Sequence, residues 1–439
     1  MNLAAVEKRE IKATAFSFLF VFALMAAYYI MRPIRDGMSS DWSDVELSWL
    51  WTGTMLVSFI AVSIYGWVVS RIAFRLLVPS LYGFFALTFL FFYGANYLPI
   101  NPVLADKAFY IWLSVFNLFH VSVFWSFMSE LFDREQAPRL FGYIAAGSSI
   151  GALVGPLIPL LFANKLGMNN LMLLASVMLL IPIPLILALE NIKSGRLGTG
   201  VLRQDISRGQ AIGGSPLQGF RTFIGSQYLI AIAVFIILYA SIGSFVYFEL
   251  KNLLADYDIS QRLKIWAGID LAVNALAILT AMLATSRLTV RFGLGVTLAM
   301  VPVIVSGGLF ALAILPLTWI VIALQVVRRA GNYAITRPAR EVLFTAVDRE
   351  SRFKAKPVID ILVYRGGDML SGWAFTGLTH GFGLGLGPVA MIGGCIAIIW
   401  AVVGLALGKV FTRNLGALES RLESQVHTET ARFEEKRLG

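Results

Sequence analysis

The 439-residue chain is poor in cysteine, histidine and charge: it holds one cysteine and three histidines, and Asp, Glu, Lys and Arg make up 14% of positions. A single cysteine, Cys395, excludes a disulfide framework and a thiolate zinc site. His120, His380 and His427 are too scattered to suggest a metal cluster, so neither a metal nor a cofactor is expected. The shortage of charge excludes an ordinary soluble domain, in which about a quarter of residues are charged. Also missing is a Walker-type phosphate loop, so the sequence carries no visible means of hydrolysing ATP. The run Gly381-Phe382-Gly383-Leu384-Gly385-Leu386-Gly387 is glycine-rich, but no strand precedes it, and it reads as a mobile outer turn. With no nucleophile-base pair in view either, an enzyme is not expected.

What the chain has in excess is apolar: 58% of residues are hydrophobic and the mean hydropathy is +0.75. Apolar runs bounded by charge, proline or glycine fall near 13–36, 47–70, 76–98, 107–132, 138–164 and 170–190, then near 226–254, 262–286, 293–314, 316–338, 356–380 and 385–411. At about 20 residues per spanning helix, this predicts an all-α membrane protein of about 12 transmembrane helices. The first run is too long, and lacks the small-residue exit, for a cleaved signal peptide, so it reads as the first span. The runs divide into six-helix bundles over 1–190 and 226–412. A basic, glycine-rich linker over 191–225 separates them, and a tail follows over 413–439. Leu415, Leu418 and Leu422 recur at helical spacing in the tail, which predicts a short surface helix there.

The formal net charge is +10, from 36 basic and 26 acidic residues. In a polytopic chain such an excess reflects topology rather than nucleic-acid binding. Every second connection is basic: the N-terminus, Arg71/Arg75, Arg134/Arg139, the linker, Arg287/Arg291, the Arg340 to Lys356 segment and the tail. Both termini are therefore expected in the cytoplasm, with the chain in a bacterial inner membrane and acting as a monomer.

The halves carry an internal repeat. Ser70-Arg71-Ile72-Ala73-Phe74-Arg75 recurs as Ser286-Arg287-Leu288-Thr289-Val290-Arg291, displaced by 216, and Asp133-Arg134-Glu135 recurs as Asp348-Arg349-Glu350, displaced by 215. Gly66-x-x-x-Ser70-Arg71-x-x-x-Arg75 resembles the loop motif of the major facilitator superfamily, with serine where that family usually has aspartate. The resemblance implies parallel six-helix repeats with a substrate site near the midplane.

Charged groups inside spans are costly, about 2.5–3.5 kcal/mol each at the centre on insertion scales, and so mark candidate sites. The first span ends Tyr28-Tyr29-Ile30-Met31-Arg32-Pro33-Ile34-Arg35-Asp36, with Tyr28, Arg32 and Arg35 or Asp36 on one helical face. These arginines read either as outer-interface anchors or as anion contacts. Displacing Arg35 by 216 lands on Lys251, beside Glu249, which suggests a symmetric pair of cations suited to an anion. Further in-span polar groups share faces: Trp266, Asp270 and Asn274; Gln325, Arg329 and Asn332, with Arg328 beside them; Asp360, Tyr364 and Asp368. Each set reads as an interhelical polar contact or as part of a site. His120 with Asn117 reads as a packing pair, and Gly147, Gly151 and Gly155 as a ladder for close helix approach.

Four of these segments together resemble the ATP/ADP translocase family. They are Tyr-x-Ile-x-Arg-x-x-basic-Asp ending at Asp36, Phe124-Trp125-Ser126-Phe127-Met128-Ser129-Glu130, Asn332-Tyr333-Ala334-Ile335-Thr336-Arg337-Pro338-Ala339-Arg340-Glu341, and Asp360-x-x-x-x-Arg365. The resemblance implies secondary transport of an anionic, phosphate-bearing solute of nucleotide type, with the lipid bilayer as the other partner. On this reading Tyr29, Arg32, Arg35, Glu130, Lys251, Asn274 and Arg365 contact the solute, and Glu249, Asp270 or Asp368 couple it to an ion. Where that family has a lysine in Gly-Lys-Ser, this chain has Gly367-Asp368-Met369, a local charge reversal that should favour a solute with fewer negative charges than ATP. The competing expectations are a proton-coupled carrier of another organic anion or amphiphile, and a non-transporting membrane scaffold or sensor.

Overall fold

The computed structural model describes residues 7, 10–69, 71–72, 74–95, 97–133, 135–195, 223–283, 285–347, 359 and 363–438. Among them no strand occurs. Asp360, the central linker from 196 to 222, and the Asp348-Arg349-Glu350 repeat lie outside the described residues.

The helices are α1 (Ile11–Met38), α2 (Asp44–Val69), α3 (Phe74–Ala95), α4 (Pro102–Leu131), α5 (Ala137–Met178), α6 (Pro182–Gly195), α7 (Gln227–Leu253), α8 (Ile259–Leu283), α9 (Thr285–Ile314), α10 (Thr318–Gly331), α11 (Arg337–Leu343), α12 (Tyr364–Thr376) and α13 (Leu386–Leu438). Nine helices among the described residues are long and apolar enough to cross a membrane. One of the nine, Arg139–Ile192, has 54 residues, so at 1.5 Å per residue it would extend about 81 Å, far beyond a bilayer core of about 30 Å. It turns at Gly167, whose φ of 70° and ψ of 170° are open to glycine and strained for any other residue. That helix therefore supplies two spans.

The tenth and eleventh apolar runs differ from the simple expectation of unbroken spans. Between α10 and α11 a π-helical turn over Asn332–Thr336 interrupts the α-helix, and α12 ends in a second one over Gly377–Gly381. The tail also differs: α13 continues without a break to Leu438, in place of a separate short helix. Its one proline, Pro388, stands in the first turn, and none follows between Val389 and Leu438 to stop it.

Two compact units divide the chain. The first comprises Met1–Ala211 with Phe248–Leu276, and the second Ile212–Tyr247 with Ala277–Gly439. In the first unit, α1 lies against α5 along the glycine ladder. A Cβ at Gly147, Gly151 or Gly155 would sit 2.6, 2.5 or 2.7 Å from the backbone oxygens of Phe18, Phe22 and Ala26. Only glycine permits that approach, and van der Waals contact between the two backbones replaces a hydrophobic driving force that lipid does not provide. On the other side of α1, Phe20 meets Tyr82, Phe124 and Phe127 at ring distances of 5.3, 4.9 and 6.3 Å. By contrast α2 leaves Trp49, Phe59, Ile60, Ile64 and Trp67 exposed, as suits a lipid-facing surface. Asn101 starts α4, its side chain accepting from the Val103 N–H at 3.0 Å while Pro102 fills the first turn.

In the second unit α9 and α13 make the closest backbone crossing. A Cβ at Gly295 would lie 3.2 Å from the Leu405 carbonyl oxygen. Trp400 of α13 packs between Phe235 and Tyr239 of α7, at 5.6 and 5.7 Å.

Candidate functional site

The polar end of α1 lies inside the first unit. The helical repeat stacks Tyr28, Arg32 and Asp36 one turn apart, and α8 supplies Asp270 and Asn274, also one turn apart. Arg32 Nε is 3.5 Å from Asp36 Oδ2, and Arg32 Nη1 is 3.5 Å from Asp270 Oδ1. Arg35 is held more tightly: its Nε and Nη2 donate to Asp36 Oδ1 at 2.9 and 2.6 Å, and its Nη1 donates to Ser114 Oγ of α4 at 3.2 Å. The Arg35 guanidinium also stands 5.3 Å from the Tyr110 ring centroid. Both carboxylates are 1% exposed. Two cations and two carboxylates thus form one formally neutral network.

The asymmetry between the arginines has a chemical consequence. At 3.5 Å the Arg32 contacts lie at the outer limit of hydrogen bonding, whereas the Arg35 fork is at charge-assisted distances. Arg32, shared by two acids at long range, is the better placed to exchange a carboxylate for a bound anion. Tyr29 and Asn274 meet beside it, the phenol donating to Asn274 Oδ1 at 3.2 Å while Asn274 Nδ2 donates to the Ala152 carbonyl at 2.8 Å. The second bond joins α8 to α5 one residue after the ladder glycine Gly151. His120 stacks on Tyr28 at 4.6 Å, its Nδ1 3.1 Å from the backbone oxygen of Asn117, so the Asn117 contact is through the main chain.

Lys251 belongs to a neighbouring cluster of the same unit. Its Nζ is 2.9 Å from Asp44 Oδ1 and donates to the Trp42 carbonyl at 2.6 Å, while Asn252 donates to the same Asp44 oxygen at 3.1 Å. Arg262 completes the cluster, pairing with Asp41 at 2.5 Å and donating to the Ala255 and Tyr257 carbonyls. The α1–α2 connection is thereby fastened to the facing ends of α7 and α8. Glu249 is 1% exposed, and among the described residues neither carboxylate oxygen has a hydrogen-bond partner.

The remaining candidates lie elsewhere. Glu130 is exposed at the end of α4. Arg365 and Asp368 belong to the second unit, one turn apart on α12, with Nη1 and Oδ2 at 3.9 Å. Sequence reasoning placed Arg32, Asp270, Tyr29 and Asn274 among the candidates, and the structure brings these four together. It missed Asp41, Asp44, Arg262 and Ser114. The signal for Arg262 was present, since with Lys251 and Lys264 it forms a basic group on one of the alternate connections, which otherwise hold few Lys and Arg.

The sequence profile of the Major Facilitator Superfamily matches residues 13–339, about three quarters of the chain. The chain belongs to the Major Facilitator Superfamily. Membership makes it a multi-pass membrane transporter rather than an enzyme. No curated protein matches the sequence. Solved structures share the fold at low identity. A POT family transporter in complex with a thioalcohol-conjugated peptide is 14% identical, over 91% of this chain and 96% of the other, with a TM-score of 0.62. The nucleoside transporter NupG is 13% identical, over 93% and 100%, at 0.59, and the xylose transporter XylE from E. coli is 12% identical, over 90% and 95%, at 0.61. Those proteins carry different cargoes, so the superfamily fold does not select one for this chain. The finer resemblance to the ATP/ADP translocases is carried by the sequence motifs alone.

Proposed function

We propose that this superfamily member is a secondary active transporter that moves an anionic, phosphate-bearing solute of nucleotide type by alternating access. The observation that carries the reading is the Arg32–Asp36–Asp270 arrangement with Arg35 beside it. A guanidinium is the side chain best matched to the paired oxygens of phosphate. In the resting network carboxylates occupy that edge, and an incoming anion takes their place at Arg32. Protonation of Asp270 weakens its hold on Arg32 and favours the anion, which couples solute to proton without further machinery. Arg35 and Lys251 complete the field felt by the solute, and Tyr29 and Asn274 offer neutral hydrogen bonds. Arg365, offset by Asp368, contributes little net charge, so the preferred solute carries fewer negative charges than ATP. On this reading both termini lie on the cytoplasmic side of a bacterial inner membrane, which the alternation of basic connections supports, and one chain is the transport unit.

A second reading, a proton-coupled carrier of a different organic anion, is favoured by Glu249, whose buried and unpartnered carboxyl suits a proton-carrying role. Thermal-shift screening of the purified protein separates the two. A ligand at a hundred times its Kd stabilises by about 2.7 kcal/mol. Stabilisation by nucleoside monophosphates and sugar phosphates, and not by carboxylates of equal charge, supports the first reading, and the reverse ranking rejects it.

A further inference from the structure

The second unit holds a buried cation that the proposed function does not use. Arg328 lies three residues from the end of α10 and is 6% exposed. Its Nη2 donates to Gln325 Oε1 at 2.8 Å, its guanidinium stands 5.7 Å from the centroid of the Tyr239 ring, and its Nε is buried with no hydrogen-bond partner among the described residues. No carboxylate forms an ion pair with it among the described residues. Space for the group is provided by Gly243, where a Cβ would lie 2.9 Å from Arg328 Nη1.

Arginine does not shed its proton in a protein, so burial cannot neutralise it in the way it neutralises a lysine. A guanidinium taken out of water needs a counter-charge or a full set of acceptors. One amide oxygen and one ring face are an incomplete set. The surroundings suit a ligand that is negative at one end and flat at the other. Tyr364 stacks obliquely near Tyr239 at 6.1 Å, and Arg328, Asp368 and Tyr333 all lie within electrostatic reach of it. A second feature points the same way: the π-helical turn Asn332–Thr336 begins four residues after Arg328 and carries Tyr333. Such turns forgo good α-helical geometry and gather at functional sites.

We propose that Arg328, with Gln325 and the walls formed by Tyr239 and Tyr364, is an oxyanion subsite that binds one phosphoryl or carboxylate group of the transported solute. The inference rests on the reading of the protein as an anion transporter and concerns the second unit by itself. Gln325 holds the guanidinium by accepting from it, and its amide nitrogen supplies a further donor to the oxyanion. The tyrosine rings accept the planar or apolar body of the solute. Asp368, one turn after Tyr364 on α12, disfavours a second strongly negative group there.

The test uses the full-length protein in detergent at constant ionic strength set by chloride. Inorganic phosphate, pyrophosphate and acetate serve as probes, with phosphorus line broadening reading the first two and thermal shift reading all three. Arg328→Gln should weaken the apparent affinity for phosphate about tenfold or more, a loss of about 1.4 kcal/mol per factor of ten. Arg328→Lys, which keeps charge without the fork, should lose less. Gly243→Ala keeps the arginine and displaces its head group, and should also weaken binding while the protein elutes and melts as the wild type does. If Arg328→Gln does not fold, the Gly243→Ala result decides. Phosphate binding by the wild type that neither variant reduces overturns the subsite and leaves the transport reading standing. Failure of the wild type to bind any of the three probes counts against both. A larger thermal shift with phosphate than with acetate identifies the group as phosphoryl, and the reverse identifies a carboxylate.

Discussion

Replacing Asp270 with asparagine removes one charge from the network while keeping its shape. Arg32 Nη1 and Asp270 Oδ1 are 3.5 Å apart, which at an effective dielectric constant of about 20 corresponds to a gross attraction of about 5 kcal/mol. Removing one partner of a buried pair destabilises by about 3–5 kcal/mol when the orphaned charge has no other partner. Arg32 keeps Asp36 at the same 3.5 Å, so about 2 kcal/mol is the expected loss in folding stability. The functional effect has the opposite sign. The four groups pass from formal neutrality to a net charge of +1, and the solute no longer competes with Asp270 for Arg32. Apparent affinity for the anion should rise about tenfold, or about 1.4 kcal/mol. Accumulation driven by a pH gradient should disappear, because the group that exchanges a proton for the solute is gone, while solute-for-solute exchange persists. Proteoliposomes prepared with and without an imposed pH gradient measure both. An Asp270→Asn protein that accumulates solute with wild-type pH dependence and unchanged affinity would refute the reasoning.

Arg35→Ala and Lys251→Ala should each abolish uptake in proteoliposomes without loss of expression in the membrane fraction; normal transport by both variants would end the idea of a cation pair acting on the solute. Gly151→Val places a side chain 2.5 Å from the Phe22 carbonyl oxygen, and even Gly151→Ala should lower stability by about 1–3 kcal/mol in a denaturant titration. Asp368→Lys should strengthen ATP and ADP binding by isothermal titration while weakening the native solute, and an unchanged ranking of the two would show that this position has no part in selectivity. Glu249→Gln leaves a neutral group where both oxygens already lack partners, so thermal stability should hold within about 0.5 kcal/mol; a large loss would show that the carboxylate is ionised and paired.

Most spans were legible because each is an apolar run of bilayer length. The first was expected over 13–36 and is Ile11–Met38; the seventh was expected over 226–254 and is Gln227–Leu253. The glycine ladder was legible for the same kind of reason, since a four-residue repeat of the smallest side chain implies a close neighbour on that face. Its partner, α1, was not legible, because spacing identifies a face and not what covers it. The same limit applies to the site. Periodicity places Asp270 and Asn274 on one face of α8, but their meeting with Arg32 and Tyr29, more than 200 residues earlier, depends on the packing of three helices. The π-helical turn after α10 left no mark in the apolar pattern, because Asn332-Tyr333-Ala334-Ile335-Thr336 is compatible with an ordinary α-helix. Lys251 shows how a correct placement can conceal a different local role: the repeat singled out the residue, and its immediate partners are Asp44 and a main-chain carbonyl.

The central claim, that the Arg32 network recognises a phosphate-bearing solute, is tested most directly by counterflow in proteoliposomes with matched labelled pairs, a nucleoside monophosphate against its parent nucleoside and a sugar phosphate against its parent sugar, for the wild type and Arg32→Gln. The wild type should exchange at least one phosphorylated member and neither parent, and Arg32→Gln should abolish that exchange while retaining the wild-type elution profile. Exchange of a neutral parent at a rate equal to its phosphorylated counterpart, or full activity in Arg32→Gln, would contradict it.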